Sequence, residues 1–264
     1  MGRLHFDVPI TTGWHNSQRV VMEIAAMAAI EIQVNASVNH ENIVQCIGLI
    51  FCHGYISILM ENLSRNMENF NTTNDEKMKS IALQLLNVLK YLKDMSIVYL
   101  DLKPQNILST DSSFSVIKLC DFGSSKFMSD ENVFVHGTEL YASPESQKRL
   151  KVSPDCPPAS IYKTDVFSLG VCLIQFFHGS YPFSKQSHLL DLVESEVPGL
   201  LAKASPKFKN FVVSCVHRNP AERLSVEELL RHPFIVDEFA HSDVFRPHSI
   251  KHFARNHDSG SLSR

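Results

Sequence analysis

The stretch 98-VYLDLKPQNILST-110 sets an acid, a lysine and an amide among apolar neighbours: Asp101, Lys103 and Asn106. Taken alone it reads as a loop, because Pro104 forces a bend and Asp and Asn are ordinary turn residues. Two further polar clusters follow it in order, 117-IKLCDFGSS-125 and 137-GTELYASPE-145. Each interrupts an apolar run, so the three together need an explanation that a single loop does not.

Around them lies a chain of 264 residues, 44% hydrophobic, enough to bury a core in one large domain or two lobes. A net charge of −3 and a pI near 6.5 give no electrostatic case for nucleic acid or for an anionic membrane surface. The six cysteines, at 46, 52, 120, 156, 172 and 215, form no C-x-x-C pair and no zinc-like spacing. Most sit in apolar runs such as SLGVCLIQFF, where a free thiol packs as a small hydrophobe. That pattern predicts a reduced compartment, cytoplasmic or nuclear. The opening MGRLHFDVPI lacks the apolar core of a signal peptide, and Phe6 stands where myristoylation wants Ser or Thr. No run approaches the 18 or so apolar residues of a membrane span, so a soluble protein is expected.

Local patterning sketches the elements. Residues 19–38, rich in Ala, Ile, Met and Glu, predict one long helix. Two β-rich runs, NIVQCIGLI and YISILME, flank a Gly-containing turn and predict an antiparallel hairpin. Over 73–95, Thr73 and Glu76 read as a capping box, and Met78, Ala82, Leu85, Leu89 and Leu92 repeat as one buried stripe. The segment 165–177, DVFSLGVCLIQFF, is apolar all round and predicts a helix inside a core. Further helices are expected in 186–195, 205–217 and 225–231, the last opened by Ser225 with Glu228. Residues 236–264 turn polar and predict a disordered tail. A small β-containing region followed by a large helical one gives an α+β fold in two lobes.

In order and content the three polar clusters resemble the signature of the protein kinase family, serine/threonine type, over roughly residues 8–235. The resemblance implies the bilobal kinase fold, with residues 1–62 a partial small lobe, 63–235 a complete helical lobe and 236–264 a tail. It also implies roles. Asp101 orients the substrate hydroxyl and accepts its proton, Lys103 steadies the transferred phosphoryl, and Asn106 and Asp121 hold Mg²⁺. Met60 matches the gatekeeper, Glu61 to Leu63 the hinge that meets adenine through backbone groups, and Leu108 a wall of the nucleotide site. Glu31 matches the glutamate of the family's C-helix. Glu145 is expected to pair with Arg223, Asp165 to brace the catalytic loop, and Thr138 to reach toward Asp101 and Lys103. Phosphoryl transfer needs a proton acceptor, a cation that spreads charge and hard oxygen ligands for a metal, and these residues supply all three.

Several features depart from the family's pattern. VPIT resembles the strand that carries the family's phosphate-gripping lysine, with Thr11 in the lysine's place, and the first lysine of the chain is Lys77. No G-x-G-x-x-G is present, and the residues before Val8 are too few for the strand pair that carries it. Arg19 is expected to lie about 18 Å from Glu31 along a helix, beyond pairing distance. Leu100 replaces the arginine that answers an activation-segment phosphate, and Tyr99 replaces a histidine. A phosphate on Ser124, Ser125 or Ser129 is therefore expected to find no partner at the catalytic loop. Two functions of different classes follow: an enzyme using ATP and Mg²⁺ on protein substrates, or a pseudokinase that holds protein partners with weak or no nucleotide binding. A shortened form of a longer kinase is the third reading.

Overall fold

The computed structural model describes residues 29–52, 55–63, 65–129, 138–147, 158–183 and 197–236. Helix α1 covers 29–37, and the earlier part of the helix expected over 19–38 lies outside the described residues. Strands β1 (Cys46–Cys52) and β2 (Tyr55–Met60) form the expected antiparallel hairpin, with Leu49 opposite Ile58 and an irregularity between Cys46 and Gly48.

The chain then passes through β3 (Arg65–Asn66) into the long helix α2 (Asp75–Asp94). Its cap is Asn74, whose side chain accepts from the Lys77 N–H at 2.9 Å, in place of the expected Thr73–Glu76 box. The Thr72 hydroxyl instead accepts from the Asn74 N–H, so an Asn able to take both jobs moves the start one residue on. The stripe of Met78, Ala82, Leu85, Leu89 and Leu92 is buried as the periodicity required, joined by Ile81, Leu86 and Val88.

Short strands β4 (Ile97–Val98), β5 (Ile107–Ser109), β6 (Ile117–Leu119) and β7 (Lys126–Phe127) make two small sheets, β3–β5–β6 and β4–β7. Asn42 ties the hairpin region to them. Its backbone carbonyl accepts from the Leu119 N–H at 2.8 Å, and its amide donates to Ile117 O and to Gln84 Oε1 at 2.8 and 2.9 Å. After helix α3 (Pro144–Gln147) comes α4 (Pro158–His178), which begins seven residues before the apolar run that predicted it. A last turn of helix α5 (197–200), then α6 (Pro206–Cys215) and α7 (Val226–Leu229), complete the described chain. The expected helix at 186–195 and the tail beyond Val236 lie outside the described residues.

Val166, Phe167, Leu169, Val171, Cys172, Leu173, Ile174 and Phe176 of α4 are all fully buried in the main core, so this helix is the centre of the large region. Its close approach to α6 is set by Gly170, where a Cβ would meet Val216 Cγ1 at 2.5 Å and Cys215 Cβ at 2.8 Å. Gly170→Ala should therefore be a net loss. Overpacking costs about 1–3 kcal/mol, against a helix-propensity gain of about 1 kcal/mol. A urea titration checks this, and an unchanged or higher midpoint would show that α6 gives way freely.

Arg223 is locked in the same region. Its guanidinium forms a bidentate pair with Glu145 at 2.6 and 3.3 Å and donates to the carbonyls of Lys163 and His217, with both side chains buried. Its face lies over the Phe167 ring at 5.1 Å. The expected pairing of 145 with 223 is thus a fully hydrogen-bonded buried ion pair joining α3, α4 and the segment before α7.

Candidate active site

Asp165 sits well inside α4, so it is not a helix cap, and it is buried. Its two carboxylate oxygens accept from the backbone N–H groups of Tyr99 at 2.9 Å and Leu100 at 2.7 Å. Leu100 has φ of 70°, the left-handed region, which costs a residue with a Cβ about 1–2 kcal/mol. Those two hydrogen bonds hold the strained turn immediately before Asp101. Downstream, the 3-10 turn Pro104–Asn106 is fastened by the Cys120 N–H donating to Asn106 O at 3.0 Å.

Around Asp101 the predicted polar residues converge. Lys103 Nζ lies 2.7 Å from Asp101 Oδ2 and 3.0 Å from Thr138 Oγ1. The Thr138 hydroxyl donates to Asp101 Oδ1 at 2.5 Å, and its N–H to the same atom at 3.3 Å. Asn106 Nδ2 donates to Asp101 O and Oδ2, both at 3.0 Å. Both amide hydrogens of Asn106 are thereby engaged, which leaves its carbonyl oxygen as the atom with ligand capacity. The cluster holds one carboxylate in a fixed orientation with a cation beside it.

Asp121 adjoins this cluster, half-buried, with φ of 61° and its Oδ1 accepting from the Gly123 N–H at 3.3 Å. Burial raises its pKa first, the Asp101 charge adds to that, and Lys103 opposes it. Glu31 from α1 is 2% exposed, and burial, with the Asp121 charge second, pushes its carboxyl up to about 7. The Phe122 backbone N–H and the Asn35 side chain act the other way. Among the described residues, Glu31 Oε1 has no hydrogen-bond partner. The Asp121 carboxylate and the Asn106 carbonyl are hard oxygens of the kind that an oxygen-seeking divalent cation takes.

The predicted nucleotide residues share a second feature. Met60, Leu63 and Leu108 pack in one apolar cluster with Val44, Ile58 and Cys120, and Cys120 directly precedes Asp121. Glu61 pairs with Lys118 at 2.6 Å, and its N–H donates to Gln45 O at 3.0 Å, so of its backbone groups only the carbonyl is without a partner among the described residues.

Sequence reasoning understated Tyr99. Beyond filling a packing role, its hydroxyl donates to Cys120 O at 2.5 Å and its ring meets Phe122 edge-on at 5.4 Å. It links the catalytic loop to the Asp121 loop. The only signal was a hydroxyl on the ring, which says nothing about what it reaches. Leu100 lies in an apolar cluster with Val98 and Ile161, against Met128 and Tyr162, where an arginine would have offered a guanidinium. Ser125 is fully buried and donates to Tyr99 O at 3.1 Å, so of the three serines considered as phosphate acceptors it is removed by packing, while Ser129 is exposed.

A pH dependence follows from two carboxyls. Burial also raises Asp165 to about 7, against the pull of its two backbone donors. For Asp165 and Glu31 the folded-state values lie above the ordinary 3.8 and 4.5, so near pH 6 the folded chain binds more protons than the unfolded one. Their contribution is fully present below the unfolded values and is lost as pH rises through the folded ones. The urea midpoint in metal-free buffer should therefore fall between pH 5 and 8, by up to about 1.4 kcal/mol per pH unit for each group. Glu31→Gln should flatten part of that slope. A midpoint that climbs over this range would contradict the assignment.

An aspartate, a lysine and an asparagine are thus held in one hydrogen-bonded cluster, with a second aspartate on the adjoining loop, the residue types that the resemblance to protein kinases calls for. Comparison with known families agrees: the family described as "Protein kinase domain" matches residues 15–235. The chain belongs to the protein kinase domain family. It is 30% identical over 222 residues to serine/threonine-protein kinase ATG1b of Arabidopsis thaliana, covering 79% of this chain and 30% of that protein. It is 33% identical over 227 residues to serine/threonine-protein kinase 10-A of Xenopus laevis, covering 78% of this chain and 23% of that one. Serine/threonine-protein kinase dst1 of Dictyostelium discoideum is 32% identical over 219 residues, 78% of this chain and 28% of its own length. The chain thus spans less than a third of the length of these relatives. No helix among the described residues is long and apolar enough to cross a membrane.

Proposed function

We propose that this chain binds ATP with Mg²⁺ and transfers the γ-phosphoryl group to serine or threonine hydroxyls of protein substrates. The observation that carries this reading is the hydrogen-bond network holding Asp101 between Lys103, Asn106 and Thr138. Asp101 accepts the proton of the attacking hydroxyl, which makes the oxygen a nucleophile. Lys103, already neighbouring Asp101, offsets negative charge on the transferred group. Asn106 and Asp121 would hold Mg²⁺, which when bound neutralises charge on the phosphate oxygens. Met60, Leu63 and Leu108 provide the apolar walls for a base, with the Glu61 carbonyl at their edge.

A second reading, a pseudokinase that holds protein partners, is favoured by a specific observation. Among the described residues Glu31 has an unpartnered buried oxygen, and no lysine occurs among residues 1–76. The test is γ-phosphoryl transfer by the full chain to a generic Ser/Thr substrate, with calorimetry for Mg·ATP. Transfer that vanishes in Asp101→Asn supports the enzyme. Nucleotide binding without transfer, or neither, supports the binding module.

A further inference from the structure

Strands β5 and β6 separate two apolar clusters. Ile107, Ile117 and Leu119 belong to the main core, while Leu108 and Cys120 belong to the small cluster with Val44, Ile58 and Met60. Lys118 alternates with Ile117 and Leu119 and lies directly opposite Leu108, so its side chain stands on the face of the small cluster. There its Nζ donates to Glu61 Oε1 at 2.6 Å, and the Gln45 N–H donates to the same oxygen at 2.7 Å. The Glu61 N–H returns a bond to Gln45 O at 3.0 Å. Glu61 is thus pinned both by its side chain and by its N–H, and Leu63 packs against the small cluster just beyond it.

We propose that Lys118 is a positioning residue for the purine base: by holding the Glu61 carboxylate it fixes the direction of the Glu61 carbonyl, which then selects a base with an amino group at that edge. The bond to Gln45 O sets the peptide plane before Glu61, and the two bonds to Oε1 set its Cα–Cβ direction. A carbonyl held in that way accepts from an amine and gains nothing from a second carbonyl. The pair is partly open to water, with side chains 20% and 25% exposed, and such pairs contribute little to stability. Its part in orientation is therefore separable from folding. The inference rests on the reading above that Met60, Leu63 and Leu108 wall a base, and adds the residue that decides which base is taken.

The probes are adenosine and inosine, which differ by an amino group against a carbonyl on the six-membered ring, titrated calorimetrically into the full chain in metal-free buffer. Wild type should prefer adenosine by about tenfold, the worth of one hydrogen bond made against one acceptor left bare. Lys118→Met should cut that preference to about twofold by weakening adenosine and not inosine, with the melting temperature moved by no more than about 4 °C. Lys118→Gln should behave in the same way, so the reading does not hang on one variant. Lys118→Arg can make the same single contact and should stay within about threefold of the wild-type preference. No adenosine preference in wild type, an unchanged preference in Lys118→Met and Lys118→Gln, or an equal loss of both nucleosides in those variants overturns the proposal. The proposed function is tested apart from it: phosphoryl transfer with a Lys118-independent preference would sink only this inference. A Lys118-dependent preference without phosphoryl transfer would sink only the enzymatic reading.

Discussion

If the proposed function holds, Asp101→Asn should lower phosphoryl transfer by about 10²–10⁴-fold, the range that a positioned general base contributes. The substitution keeps the size of the side chain but replaces an acceptor-only group with one that carries two hydrogens. Four donors converge on the Asp101 carboxylate: Lys103 Nζ, Asn106 Nδ2, and the hydroxyl and N–H of Thr138. An amide can accept at one oxygen only, so whichever way it turns, one set of donors meets an NH₂ group. The loss should fall on kcat, with Mg·ATP affinity by calorimetry changed no more than severalfold, because Asp121 and the apolar cluster are untouched. A variant within threefold of the wild-type rate would show that Asp101 does not take the proton. A matching collapse of nucleotide affinity would assign it to binding instead.

The other large effect concerns folding. Leu169→Asp and Ile174→Asp should each abolish the cooperative unfolding transition, because both side chains are at 0% exposure on the helix at the centre of the main core. A carboxylate there has no partner and either stays charged at great cost or takes up a proton at a penalty of several kcal/mol. Domains of this size hold roughly 5–15 kcal/mol of stability in total, so one such substitution uses most of it. Leu169→Ala and Ile174→Ala provide the scale, with an expected loss of about 2–5 kcal/mol and a transition that remains visible. Near-ultraviolet circular dichroism and thermal melting read the outcome. A cooperative melt of either Asp variant at the wild-type temperature would move α4 out of the core.

The proposed mechanism and the buried Arg223–Glu145 pair rest on the same framework. Removing one partner of a buried, hydrogen-bonded pair leaves an uncompensated charge, whereas the intact pair is weak evidence for stability in itself. Its value here is architectural: it fixes α3, which closes the segment bearing Thr138, against α4, which carries Asp165. The donors around Asp101 thus arrive from two directions on one scaffold.

Much of this was readable along the chain because the determining physics is local. An apolar repeat over Met78 to Leu92 forces one buried face, an all-round apolar run at 165–177 forces a central helix, and Ser225 with Glu228 makes a capping box. The order of the three polar clusters carried the family, since motif order survives any detail of packing. What the tertiary structure decided is where side chains end up when competing partners are available. Asn74 displaced Thr73 as the cap because its amide oxygen reaches the Lys77 N–H while Thr72 satisfies Asn74 itself. Asp165 proved to hold a left-handed Leu100, a backbone state that no side chain announces. Ser125 vanished into the core, and the Tyr99 hydroxyl found Cys120 O across 21 residues. The orphaned oxygen of Glu31 is of the same kind: a residue's identity is local, but the absence of a partner is a property of everything packed around it.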